Sequence, residues 1–149
     1  MTEILFYHLT ESKLEDALPP LLEKSLERGW RVAVQMRDPE RRDGLDVILW
    51  TFREESFLPH GTDESEGFDR QPVLLTILPD NLNAATVRFF VDGAEPEAVD
   101  GYDRIVLMFD GYDQVELAAA RAQWKRLKGE GHKLTYWQQT PEGRWEKKA

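Results

Sequence analysis

The 149-residue chain has no cysteine, which removes disulfides, thiolate metal sites and cysteine nucleophiles together and fits a reducing compartment. Its longest apolar runs fall well short of the roughly 18 to 20 residues a membrane span needs, and residues 1–9 lack the basic start of a signal peptide. A protein without membrane contact, soluble and cytoplasmic, is expected. Histidine is scarce: His8, His60 and His132 stand far apart, none at metal-ligand spacing from another, so no metal is expected. Serine lacks the G-x-S-x-G elbow that would expose a nucleophile. Basic charge is short as well. A net charge of −9 argues against a whole surface that grips nucleic acid.

The charge that is present is unevenly placed. Residues 121–149 hold eight basic residues against three acidic ones, or +5, which leaves −14 on residues 1–120. A local basic site for an acidic ligand, on a body that repels acidic surfaces elsewhere, is the simplest reading.

Residues 3–9 form a nearly continuous apolar run, as a strand covered on both faces would. A helix follows up to Gly29, striped by Ala17, Leu18, Leu21, Leu22 and Leu26, with Gly29 suited to a left-handed C-cap. Pro19 and Pro20 imply either a helix that starts near Pro19 or a separate first turn ahead of a kink. A second strand is expected over 30–36 and broken by Asp38-Pro39, and a second helix over 41–50. Residues 52–71 read as a long loop whose acids Asp63, Glu64 and Glu66 form a mobile, solvated surface. Strands follow at 73–78, 86–91 and 104–109; Asp113 and Glu116 make a capping-box-like start to a helix that runs to Lys128 and stops at Gly129. Residues 133–138 are a last strand and 140–149 a polar tail.

This order implies one α/β domain over residues 1–149, a Rossmann-like three-layer α/β/α arrangement with a largely parallel sheet. The three successive strands leave room for an antiparallel one. The first strand-to-helix joint contains no glycine, so neither the dinucleotide fingerprint nor a P-loop is present and no cofactor is implied.

Two stretches carry most of the chemistry. In the last helix Arg121, Lys125 and Lys128 recur at i, i+4 and i+7, one cationic stripe with Leu117 and Trp124 at its edge. The same cations also complement the negative end of the helix dipole. The other stretch, LDVILWTFREESFLPHG at 45–61, passes from an amphipathic helix into a loop bearing Phe57, Leu58, Pro59 and His60. Asp92 and Asp110 follow strands directly, where carboxylates in α/β enzymes often act, but Asp-Gly is also an ordinary turn.

FYHL at 6–9, RGWRVAV at 28–34, the 45–61 stretch, RQPVLLT at 70–76, ARAQWKRLKGEGHKLTYWQQ at 120–139 and the closing WEKKA together resemble the chi subunit family of bacterial DNA polymerase III. The resemblance implies a noncatalytic adaptor. It would pair with the psi subunit, which tethers it to the clamp loader, and bind the acidic C-terminal tail of single-stranded-DNA-binding protein, reaching DNA only through that partner. Such a protein would be a monomer when isolated or a heterodimer with psi. Carried over by motif, the tail site falls on Arg121, Trp124, Lys125 and Lys128, where some relatives have Tyr in place of Trp124. The psi-facing surface falls on Trp50, Phe57, Leu58, Pro59 and His60. The competing class is a nucleotide-binding or hydrolytic α/β enzyme acting at the carboxyl ends of the strands, which would need Asp110, Asp92 or His8 to converge.

Overall fold

The computed structural model describes residues 2–51 and 58–149. Within them lie β1 (Glu3–Leu9), α1 (Leu14–Glu27), β2 (Val32–Gln35), α2 (Pro39–Thr51), β3 (Gly61–Thr62), β4 (Val73–Thr76), β5 (Val87–Phe90), β6 (Arg104–Asp110), α3 (Gln114–Gly129), β7 (Lys133–Gln139) and β8 (Trp145–Lys147). All strands join one sheet in the order β3-β4-β2-β5-β6-β1-β7-β8. Every pairing is parallel except β7 with β8. The protein is therefore α/β, with a mostly parallel mixed sheet.

Alternation along the strands sorts their side chains into two cores. Leu5, Val32, Val34, Val106 and Met108 share one cluster with Leu18 and Leu22 of α1 and Leu45 and Leu49 of α2. Ile4, Phe6, Ile105, Leu107 and Phe109 share the other with Ala120 and Leu127 of α3. Both faces of the central strands are buried, which is why these strands read as continuous apolar runs rather than alternating ones.

The helices start and stop for local reasons, not always those the sequence suggested. Helix α1 runs unbroken from Leu14 through Pro19 and Pro20. Gly29 ends it at φ +77°, with its N–H donating to the Leu26 carbonyl. Asp38-Pro39 opens α2 rather than merely breaking β2: Asp38 Oδ1 accepts from the Glu40 N–H at 2.9 Å, and Pro39 takes the first helical position. In α3, Asp113 caps as expected, accepting from the N–H groups of Val115 and Glu116. Its left-handed terminator is Gly131 at φ +88°, two residues beyond Gly129.

Three other expectations are corrected. The antiparallel strand is β8, within the segment expected to be a polar tail, and not a member of the β4-β5-β6 run. Residues 61–62, expected to be loop, pair with β4. Of the acids beyond them, Glu64 and Glu66 are exposed, but Asp63 is not part of a solvated surface. Asp63 accepts from Arg42 Nη1 at 2.7 Å, Thr76 Oγ1 at 2.8 Å and the Ile77 N–H at 2.9 Å, while Glu64 accepts from Arg42 Nη2 at 3.0 Å. Arg42 and Asp63 side chains are each only 3% exposed. A buried guanidinium needs such partners, and the acidic loop supplies them.

Arg88 solves a different problem. The connections β4 to β5 and β5 to β6 carry no helix, and Arg88, buried within β5, ties both down. It donates to Gln35 Oε1 of β2, to the Leu78 and Asp80 carbonyls of one connection, and to the Tyr102 hydroxyl of the other. Burial pulls its pKa below the usual arginine value.

Candidate functional site

Helix α3 lies across one face of the sheet and leaves Arg121, Lys125 and Lys128 exposed. None of the three makes a side-chain hydrogen bond or ion pair among the described residues. Their neighbour Arg126 does: it donates to Gln123 Oε1, to the Pro96 carbonyl and to Glu130. Arg126 is off the stripe by spacing and is paired as well, so the α3 cations without such a partner among the described residues are those at i, i+4 and i+7.

Trp124 is half-buried beside them. It meets Phe6 edge-on at 5.2 Å and Tyr136 of β7 at 5.8 Å. The Tyr136 hydroxyl shares a 2.8 Å hydrogen bond with His8 Nδ1, and the His8 ring stacks on Phe109 at 4.9 Å. Gly111 makes room for that imidazole; a Cβ there would collide with Nε2. Burial lowers the His8 pKa, and the Arg121 charge lowers it further against the opposing pull of Asp110. Burial raises that of Tyr136, and Arg121 partly offsets it. Arg121 therefore projects positive potential onto the rings its helix packs against.

Sequence reasoning placed Arg121, Trp124, Lys125 and Lys128 on one helix face, and all four stand there. It missed Tyr136 and the part played by His8. The only signal was the aromatic-rich sequence of β7, which does not say which helix it faces.

The second expected surface divides. Leu58 is 2% exposed and belongs to the core shared with α1 and α2. His60 is 5% exposed, with Nδ1 2.7 Å from the Leu58 carbonyl and Nε2 3.1 Å from the Asp46 carbonyl. Its ring lies 4.3 Å from that of Trp50. Trp50 itself is 49% exposed and Val47, three residues earlier on α2, is exposed too. Pro59 is half-buried, and Phe57 lies outside the described residues. Buried His60 thus lies against Trp50, while Trp50 and Val47 keep much of their surface exposed.

At the carboxyl ends of the strands a crevice of about 430 Å³ is lined by Glu15, Arg41, Asp92, Asp110 and Glu116 among others. Arg41 bridges Glu15 and Asp92. Burial raises the Glu116 pKa against the hydrogen bond it accepts from the Asp110 N–H, with the charges of Asp113, Asp92 and Asp110 adding to the rise. In nucleotide-binding α/β proteins the joint after the first strand turns its N–H groups toward phosphate. Here the N–H groups of Thr10, Glu11 and Ser12 all donate to Gln139 Oε1, at 3.1, 2.9 and 3.0 Å. Gln139 Nε2 donates in turn to Ser12 Oγ at 3.0 Å. A neutral amide from β7 occupies the donors that would cradle an anion. Asp92 and Asp110 share the crevice, but His8 faces Tyr136 and is not among its lining residues. Among the described residues no group of three His, Asp or Glu side chains could hold a metal ion.

On α3 the α/β protein presents a cationic helix face bordered by indole and phenol rings. The comparison with known families is more specific. The chain belongs to the family described as DNA polymerase III chi subunit, HolC, whose model matches residues 1–135. It is 22% identical over 156 residues, covering 100% of this chain and 93% of the relative, to a "Probable DNA polymerase III subunit chi" of Rickettsia prowazekii (strain Madrid E). The family is a replication accessory subunit of that polymerase complex. No helix among the described residues is long and apolar enough to cross a membrane.

Proposed function

We propose that this protein is a noncatalytic adaptor of the polymerase III holoenzyme, linking the clamp loader, through the psi subunit, to the acidic C-terminal tail of single-stranded-DNA-binding protein. The observation that carries the reading is the set of three exposed cations on α3, unpaired among the described residues, beside half-buried Trp124 in a chain of net charge −9. Arg121 and Lys125 meet carboxylates of the tail, Lys128 extends the positive edge, and Trp124 with Tyr136 offers apolar surface to the tail's hydrophobic residue. The psi surface centres on Trp50 and Val47 of α2, with Pro59 at its rim and Leu58 and His60 as its support; an indole packed against a buried ring is a typical anchor for a lasting partner. DNA is reached through the tail.

The two core clusters, one against α1 and α2 and one against α3, support a Rossmann-like three-layer arrangement. The same fold would serve a nucleotide-binding or hydrolytic enzyme, but Gln139 fills the backbone donors such an enzyme would use.

Calorimetric titration with a tail peptide tests the reading. Arg121→Ala weakens binding by about 1 to 3 kcal/mol, and removing the peptide's last residue does at least as much. The affinity also falls with salt, because exposed charges are screened over about 8 Å at physiological ionic strength. Unchanged affinity in the Arg121 variant would return the stripe to a solvated, dipole-complementing role.

A further inference from the structure

The chain spends its aromatic residues unevenly. Where the C-terminal half of α1 leaves the sheet, on the opposite face from α3, a cleft of about 210 Å³ is lined by Tyr7, Trp30, Trp137 and Trp145. All four are half-buried rather than buried. Lys24, Arg28 and Arg104 also line the cleft, and no acidic residue does. In a chain that is −14 over its first 120 residues, a cleft lined by three cations and no acid stands out, although Glu3 offsets one of them, Arg104.

The geometry is ordered. Arg28 and Arg104 place their guanidinium carbons 5.0 and 4.7 Å from the Trp30 ring centroid, so one indole steadies both cations. Arg104 has a partner in Glu3 at 3.6 Å. Lys24 and Arg28 make no side-chain hydrogen bond or ion pair among the described residues and are exposed. Across the cleft, Tyr7 lies 4.7 Å from Trp145 and 6.3 Å from Trp137. Trp145 reaches this place only because β8 folds back antiparallel on β7. A cavity that merely needed filling would take aliphatic side chains. Half-buried rings lining a cleft next to cations without an ion pair among the described residues suit a ligand that joins a planar aromatic group to an anion.

We propose that this cleft binds a nucleotide, with the base against Trp137 and Trp145 and the phosphate at Lys24 and Arg28. The nucleotide is either free or one unit of a single strand. Aromatic stacking tolerates any base, and the cations read only phosphate, so the site has little sequence preference. An acidic peptide needs only cations beside apolar surface, which α3 with half-buried Trp124 already offers; four rings around one small cleft favour a base. The site lies apart from the usual crevice and from the α3 face, and it does not depend on the adaptor reading. It puts nucleic acid on this chain itself, where the sequence had suggested contact only through a partner.

The test uses the full-length protein at low salt with two probes, thymidine monophosphate and a fluorescein-labelled oligothymidylate, read by tryptophan quenching and by anisotropy. Lys24→Glu with Arg28→Glu, both exposed positions, weakens binding at least about tenfold, while Arg121→Glu leaves it within about twofold. Trp145→Leu weakens it about five- to a hundredfold, the usual worth of one stacked base. Circular dichroism confirms that each variant is folded. Equal site affinity for both probes identifies a free nucleotide as sufficient, and binding of the oligomer alone identifies the single strand. The proposal is overturned if neither probe binds, if the Lys24 and Arg28 reversal has no effect, if Arg121→Glu abolishes binding, or if only an acidic peptide quenches the indoles.

Discussion

Replacing Asp63 by alanine separates two pictures of the acidic segment. If residues 63–66 were solvated loop, the change would cost no more than about 0.5 kcal/mol, as at most surface positions. In the structure Asp63 is the buried partner of a buried cation. Its removal leaves Arg42 leaning on Asp43 and Glu64, both mostly exposed, each 3.0 Å away. It also strips the Thr76 hydroxyl and the Ile77 N–H of their acceptor. Breaking a buried pair by deleting one member costs about 3 to 5 kcal/mol, and the two remaining carboxylates hold the loss to the lower end, about 3 kcal/mol. With a urea slope of about 2 kcal/mol per molar, the unfolding midpoint falls by about 1.5 M at constant slope. Arg42→Leu combined with Asp63→Leu recovers much of it, since neither charge is then stranded. Urea titration followed by circular dichroism measures both variants against the unsubstituted protein. A loss under about 0.5 kcal/mol in Asp63→Ala would refute the buried-pair account.

Trp50→Ala and Leu58→Ala differ in kind: the first weakens psi binding with the melting temperature within a few degrees, and the second costs about 2 to 5 kcal/mol because it empties a core site, as thermal melts and co-purification with psi would show. Gln139→Ala leaves three backbone N–H groups without their shared acceptor and destabilises the protein by about 1 to 3 kcal/mol; an unchanged melting temperature would mean that water or an anion replaces the amide fully. The His8 pKa is depressed by burial first and by Arg121 second. The unfolded chain then binds a proton more readily than the folded one, so this contribution to stability is complete above about pH 6.5 and is lost as pH falls through the lower, folded value. Titration of the His8 ring by NMR reads the effect directly: Arg121→Ala raises the midpoint, and a midpoint indifferent to that change would dissociate Arg121 from the ring.

The elements the sequence determined by itself are those coded by neighbours in the chain. Apolar runs marked β1, β4, β5 and β6, the 3.6-residue stripe marked α1, Gly29 marked its end, and Asp113 marked the start of α3; each depends on backbone and side-chain interactions within a few residues. The cationic face was legible for the same reason, since helical spacing alone puts Arg121, Lys125 and Lys128 on one stripe. Tertiary structure decided what requires a partner distant in sequence. Residues 145–147 are one apolar ring followed by two charged residues, and only pairing with β7 makes them a strand. Asp63 is charged like the residues around it, and only Arg42, 21 residues away, turns it into a buried ligand. Gln139 is an unremarked polar residue until β7, lying beside β1, brings its amide to three N–H groups about 128 residues earlier in the chain. Burial of a polar group is settled by where its complement ends up, and the chain writes that in its contacts, not in its local pattern.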